Sequence, residues 1–298
     1  MSLTQLVVMY GKLEGADGKF ARDPTGYLGI EAGIYSQRGL EVSWQHVQGT
    51  EERYYRLEHR AADLSLVVGR AALQHFLDSK KSRLIGSSMN SCPYYLIVTP
   101  GVKEIGDLKG KSLGCRESTA RIAPLPLVLE GRGLTLGEDV NLMLPDGDEG
   151  TFNLLVRGEV QAALLPRPYG FIAEEKGFHR ILDWPDVVDD PLPVAIETTE
   201  KILREKKKEF SAFLEAHREA IRYLKTHRDE TIRMLADEFG HSAHLAAKTY
   251  DEYLICLGDP LTIDFRQLEK LLAQVAPERG GGARKLASEW IAPGALRG

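Results

Sequence analysis

The chain has 298 residues, a formal net charge of -5 and three cysteines. A length beyond the usual limit of one hydrophobic core predicts two lobes, and the acidic balance excludes bulk nucleic-acid binding as the main activity. Cys92, Cys115 and Cys256 form no Cys-x-x-Cys pair and leave one over, so they read as small buried hydrophobes rather than as a disulfide framework or a zinc site.

The start, Met1-Ser2-Leu3-Thr4-Gln5, runs directly into an apolar strand, Leu6-Val7-Val8-Met9. It has neither the basic n-region nor the apolar h-region of a secretory signal, and no apolar stretch approaches the ~20 residues that span a bilayer. As written, the chain reads as soluble and cytoplasmic. Removal of an export signal would leave the same text, and the location would then be periplasmic or otherwise extracytoplasmic.

After a loop rich in glycine and charge from Gly11 to Pro24, Thr25 is placed to cap a helix running to Arg38, with Gly39 as its stop. Val42 opens an apolar run. Thr50 is placed to cap a second helix whose first turn carries Glu51 and Glu52, where the helix dipole favours acids. Leu64-Ser65-Leu66-Val67-Val68-Gly69-Arg70 forms a third strand and its end. A strand near Leu84 to Ser88 leads through Asn90-Ser91-Cys92-Pro93 into Tyr94-Tyr95-Leu96-Ile97-Val98, a first crossover between lobes.

The pattern then repeats. Ser112-Leu113-Gly114-Cys115 is a strand, Ser118 to about Arg132 a helix, Val140 the start of a strand, Phe152 to Val156 part of a helix, and Ala162-Ala163-Leu164-Leu165-Pro166-Arg167 a strand and its end. Val42 to Arg70 and Val140 to Arg167 are almost equal intervals, so each copy reads as β-α-β-α-β. That alternation predicts parallel sheets, whose ligands bind beyond the carboxyl ends of the strands. Pro191 to Ile196 is the return crossover. Helices follow, with Phe210, Phe213, Leu214, His217 and Ile221 on one face and Ile232, Leu235 and Phe239 on another. The expected lobes are 1–92 with 194–298, and 93–193.

Three passages resemble a known family. Thr25 to Val42, with Thr25-Gly26-Tyr27 and Gly39-Leu40-Glu41-Val42, resembles the opening of solute-binding proteins for nitrate, sulfonates, taurine and thiamine-pyrimidine precursors. Val102 to Gly114, including Leu108-Lys109-Gly110-Lys111, is similar to that family's approach to its second lobe. Arg157-Gly158-Glu159-Val160-Gln161-Ala162-Ala163, followed by Pro168-Tyr169, resembles its "Gly-x-Val-Asp-Ala" segment, with Gln161 where the family usually has Asp. The resemblance implies a two-lobed α/β fold of the type II periplasmic-binding-protein kind, with two crossovers, a helical C-terminal part and no cofactor.

Equivalent strand ends in the two copies carry cations: Lys12 after Tyr10, Arg70 after Gly69, Arg116 before Ser118 and Thr119, and Arg167 before Tyr169. Guanidinium forks and helix N-termini suit carboxylates, sulfonates and phosphates. With Asn90 at the crossover, these ten residues are the expected contacts of a small anionic ligand. Each has a plainer alternative: surface pairing for the arginines, capping for Ser118 and Thr119, core packing for Tyr169 and a turn for Asn90. His241 and His244 have the spacing of a metal pair but lack a third ligand, and His46 and His59 have no evident partner.

The implied function is capture of a small anionic organic solute for the membrane components of an ABC transporter, without catalysis and without nucleic acid. The alternative is a cytoplasmic enzyme on the same fold, engaged in thiamine-pyrimidine synthesis, desulfination or decarboxylation of an aromatic acid. For desulfination the candidate nucleophile is Cys115, ahead of a helix and beside Arg116. A sensor domain of a transcription regulator is the third reading; the chain carries no helix-turn-helix segment.

Overall fold

The expected duplication is present. The computed structural model describes residues 3–10, 24–47, 49–89, 91, 94–117, 119–189, 192–257, 261–278 and 283–292. The first copy runs β1 (Thr4–Tyr10), α1 (Thr25–Glu31), β2 (Leu40–His46), α2 (Thr50–Glu58) and β3 (Leu64–Val67), and continues into α3 (Gly69–Ser79) and β4 (Ser82–Met89). After β5 (Tyr94–Val98), the second copy runs β6 (Lys111–Cys115), α4 (Thr119–Ile122), α5 (Leu125–Glu130), β7 (Val140–Met143), α6 (Gly147–Val156) and β8 (Ala162–Pro166), then α7 (Tyr169–Glu175) and β9 (His179–Asp183). β10 (Val194–Thr199) leads to α8 (Glu200–Glu205), α9 (Lys207–Thr226), α10 (Arg228–Phe239), α11 (Ala243–Cys256), α12 (Phe265–Val275) and α13 (Ala283–Trp290).

Two five-stranded sheets result, ordered β2-β1-β3-β10-β4 and β7-β6-β8-β5-β9. β1 is parallel to β2 and β3, and β6 to β7 and β8, as the alternating pattern requires. The expectation of wholly parallel sheets needs correction, because β10 is antiparallel to β3 and β4, and β5 to β8 and β9. The reason is topological. Each of these strands arrives from the other lobe, at the carboxyl ends of the strands it joins, and so runs against them.

Both sheets are covered on two faces, so β3 and β8 are buried throughout. In the first lobe Leu6, Val8, Leu64 and Ile196 pack against Phe210, Phe213 and Ile221 of α9, the helix face read from the sequence. Burial of each such α9 side chain contributes roughly 1.5–3 kcal/mol. The opposite face sets Val67, Leu84 and Ala195 against Phe76, Leu272 and Trp290. In the second lobe Leu96, Leu113 and Leu164 meet Leu125 and Leu129, while Ile97, Ala163 and Leu165 meet Phe152 and Phe171.

Both crossovers change core abruptly. Met89 belongs to the first lobe's core and Tyr94 to the second's; on the return, Val188 packs on the second and Leu192 in the first. The C-terminal helices do not all return to the first lobe as expected. Along α11, Leu245 joins the second lobe's core while Ala246, Tyr250, Tyr253 and Cys256 join the first's.

Helix ends differ from the sequence reading for local reasons. α1 stops at Glu31 because Gly33 takes φ +67 and starts a turn into a short 3-10 segment, Ser36–Arg38, which Gly39 closes at φ 75. Pro24, not Thr25, is its N-cap, and Thr25 is buried. Gly49 rather than Thr50 caps α2, and Glu51 and Glu52 occupy its first turn. The single helix expected from Ser118 to Arg132 is two, since Pro124, which has no N–H to continue the ladder, stands between α4 and α5.

Candidate functional site

The carboxyl ends of β2 and β3 feed α2 and α3, and a cavity of about 920 Å³ lies along these two helices. Thr50 and Arg70 stand at its N-terminal mouth, Ala123 of the second lobe and Gln274 of α12 close that mouth, and Tyr54 and His75 line it further along. The backbone carrying Thr50 and Arg70 is fixed by Arg53, whose buried guanidinium donates to Val47 O at 3.2 and 3.0 Å and to Leu66 O at 2.8 Å.

Tyr54 and His75 stack face to face, with centroids 3.3 Å apart. Burial lowers the His75 pKa. Burial raises the Tyr54 hydroxyl pKa, and the charge of Glu197 beneath it adds to the effect. Glu197 is itself fully buried in β10, and its carboxyl is pushed up to about 7 by that burial, against the pull of Tyr54, Ser82 and Arg53. Arg70 donates to Gln274 Oε1. Three carboxylates, Glu51, Glu58 and Asp78, also border the cavity; Glu58 holds Lys81 at 3.0 Å and Asp78 accepts from Gln74 at 3.0 Å.

Two residues before Ala123, Arg121 is fully buried against Asp148. Its Nη1 contacts Oδ1, its Nη2 donates to Oδ2 at 3.2 Å, and its guanidinium lies 4.2 Å from the centre of the Tyr94 ring. Burial alone would lower the Arg121 pKa; the Asp148 charge more than reverses this. Arg116 Nη1 lies 3.6 Å from Asp148 Oδ2, makes no hydrogen bond, and its side chain is 29% exposed. One carboxylate thus faces two guanidinium groups. The cluster keeps a net positive charge, and Arg116 is the member turned toward solvent.

Residues 25–231 match the family model described as NMT1/THI5 like. The chain belongs to the NMT1/THI5-like family. No curated protein matches the sequence. Among solved structures it is similar to the periplasmic aliphatic sulphonate binding protein SsuA from Escherichia coli, with TM-score 0.76 and 15% identity over 97% of this chain and 98% of that one. It is also similar to the alkanesulfonate-binding protein SsuA from Xanthomonas axonopodis pv. citri bound to MOPS, at TM-score 0.72, 15% identity and coverage of 99% and 98%. A third likeness is to the desulfurization enzyme DSZB, at TM-score 0.68, 15% identity and coverage of 98% and 97%. These likenesses carry the fold, that of two-lobed periplasmic binding proteins.

For an NMT1/THI5-like chain, the ten expected contacts divide sharply. Arg70 borders the cavity, whereas Arg116 lies beside Asp148 in the second lobe and is not among the residues that line it. Tyr10 ends β1 as expected, with its hydroxyl 2.7 Å from that of Tyr27 and its ring edge-on to Tyr27 and Trp44. Gly69 needs a different explanation. A Cβ there would lie 2.2 Å from Leu192 O, so the residue is small because the return crossover passes against it, and its N–H donates to Leu192 O at 3.1 Å. Tyr169 is buried in the second lobe's core, 5.4 Å from Phe152 between ring centroids. Thr119 opens α4. Lys12, Asn90 and Ser118 lie outside the described residues.

Arg167 is the largest correction. Instead of a cleft cation it is a buried pair partner, donating to Glu252 Oε2 at 2.7 Å and lying 4.2 Å from the Tyr253 ring centre. Cys115 is also corrected: it is fully buried, its Sγ donates to Arg116 O at 3.3 Å, and burial pushes its thiol up to about 11, the opposite of nucleophile activation. His241 is buried with its pKa pushed down to about 4, whereas His244 is exposed, so the pair shares no site. Sequence reasoning missed Arg121, Asp148, Tyr54, His75 and Gln274. For Tyr54 and His75 the only available signal was their place on helices that follow the strand ends.

Proposed function

We propose that this chain is a solute-binding protein that holds a small anionic organic solute, of sulfonate, carboxylate or phosphate type, between two lobes. The observation that carries the reading is Arg70 in the lining of a cavity that also reaches Ala123, two residues from Arg121 of the net-positive Arg116–Arg121–Asp148 cluster. Membership of the NMT1/THI5-like family and the likeness to sulfonate-binding proteins support it. Glu58 and Asp78, farther along the cavity, disfavour a second anionic group there, while Glu51 stands beside Thr50 at the mouth.

In this reading the lobes are 1–92 with 194–298, and 93–193, with α11 packed on both, and they rotate toward each other on binding. Delivery is to the membrane components of an ABC transporter, on the extracytoplasmic side. Among the described residues no helix is long and apolar enough to cross a membrane.

Native mass spectrometry of freshly purified protein, followed by calorimetry with the compound released, tests the proposal. A retained anion that rebinds unchanged is expected. A neutral or cationic solute, or recovery of an altered product after incubation, would overturn it.

A further inference from the structure

Gln274, near the end of α12, touches two parts of the molecule at once. Its Oε1 accepts from Arg70, and its Nε2 donates to the backbone carbonyl of Asp189 at 3.3 Å. Lys270, one turn earlier on the same face of α12, binds the Asp189 carboxylate at 2.7 Å. Asp189 stands where the return crossover changes core, directly after Val188 of the second lobe's core and shortly before Leu192 of the first's. Leu192 is in turn held by the Gly69 N–H at 3.1 Å, and Gly69 is the neighbour of Arg70. The grips on the two sides of the core change therefore converge on the Gly69-Arg70 pair.

We infer that Gln274 is a coupling residue, linking the state of the Arg70 guanidinium in the cavity to the grip of α12 on the return crossover at Asp189. A primary amide has one acceptor oxygen and one donor nitrogen fixed in a plane. While Arg70 holds the oxygen, the nitrogen is aimed at Asp189 O. An anion that takes the Arg70 fork in bidentate fashion turns the guanidinium off Gln274, frees the amide to rotate and leaves Asp189 to Lys270 alone. The crossover is thus stiff in the empty protein and loosened when the mouth fills. The ligand half of this inference rests on the solute-binding reading; the residue half does not.

Hydrogen exchange on the full chain without ligand tests the residue half. Val187 and Val188 donate to Trp184 O, so their amides report the crossover. Gln274→Glu keeps an acceptor for Arg70 but has no N–H for Asp189, and Gln274→Ala loses both bonds. Both variants are expected to speed exchange at 187–188 by roughly three- to tenfold, the weight of one net hydrogen bond, with α12 residues 268–272 unchanged. Arg70→Ala should give the same acceleration, and Arg70→Ala with Gln274→Glu no more than either alone. Additive effects, an unchanged crossover in Gln274→Glu, or acceleration spread evenly over α12 would each overturn the coupling. With MOPS as the probe, binding should accelerate 187–188 in the parent and not in Gln274→Glu; the same acceleration in both overturns the ligand half. A calorimetric blank with MOPS counts against the solute reading, and the ligand-free series then decides the coupling.

Discussion

Arg167 and Glu252 are 85 residues apart in sequence and 2.7 Å apart in space, both nearly excluded from solvent. The contact fastens the end of β8 to α11. Of the three arginines at strand ends, Arg70 is the one that lines the cavity.

Arg167→Ala should therefore destabilise the protein rather than weaken solute binding at the mouth. Breaking a buried ion pair costs about 3–5 kcal/mol, and the low end is expected here, because burial holds the Glu252 carboxyl up at about 8 even beside Arg167, so its charge is readily given up at neutral pH. Arg167→Met combined with Glu252→Gln should recover most of the loss. Urea denaturation of the three proteins checks this; an unchanged midpoint in Arg167→Ala would contradict it.

Arg70→Ala and Arg116→Ala should behave in the opposite way. Loss of a guanidinium that binds a desolvated anion costs about 2–5 kcal/mol in affinity, roughly 30-fold to several thousand-fold. Stability should move by less than about 1 kcal/mol, since Arg121 keeps Asp148 paired when Arg116 is removed. Calorimetry with the retained solute and a thermal melt separate the two effects. Parental affinity in both variants would rule out the anion clamp.

Glu197 predicts a pH dependence of stability with a definite sign. Its carboxyl is raised by burial to about 7 in the folded protein, against ~4.3 in the unfolded chain. The folded state binds this proton more tightly. Stability from this group is full below pH ~4, falls as pH rises to about 7, and is then level, a total of about 4 kcal/mol. Glu197→Gln should remove that slope while other carboxylates keep theirs. Denaturation at pH 5 and pH 8 compares the slopes, and equal slopes in parent and variant would disprove the assignment.

Gly69→Ala tests packing against ligand contact. A methyl group 2.2 Å from Leu192 O forces either β3 or the return crossover to move. Overpacking of this kind costs about 1–3 kcal/mol. A lower melting temperature without any ligand is expected; a parental melt with reduced solute affinity would return Gly69 to the list of direct contacts.

Cys115 should resist alkylation. With the side chain fully buried and the thiol pushed up to about 11, iodoacetamide at pH 8 should leave it unmodified in the native protein and modify it after unfolding. Rapid native labelling mapped to Cys115 would revive the nucleophile.

What the sequence made legible was periodic and local. The strands at Leu6, Val42, Leu64, Ser112, Val140 and Ala162 and the buried face of α9 followed from apolar patterning, and the order of units followed from their spacing. The direction of β5 and β10 did not, because an apolar run carries the same pattern whichever way it enters a sheet. For the site, a cation at a strand end was visible at Arg70, Arg116 and Arg167 alike. Their fates diverged through partners remote in sequence: Gln274 for Arg70, Asp148 for Arg116 and Glu252 for Arg167. No local rule distinguishes an arginine left partly exposed from one whose carboxylate arrives 85 residues later.

The shared membership of α11 has a mechanical consequence. Two strands passing between two bodies act as a door on two pins and define one axis of swing. A third attachment away from the pins, made by Leu245 and Lys248 on one body and Tyr250 and Tyr253 on the other, turns the door into a linkage. Any swing must then slide this helix along one partner or bend it, so the travel of the lobes is bounded by how far α11 can slip before Lys248 leaves Glu174 and Arg167 leaves Glu252.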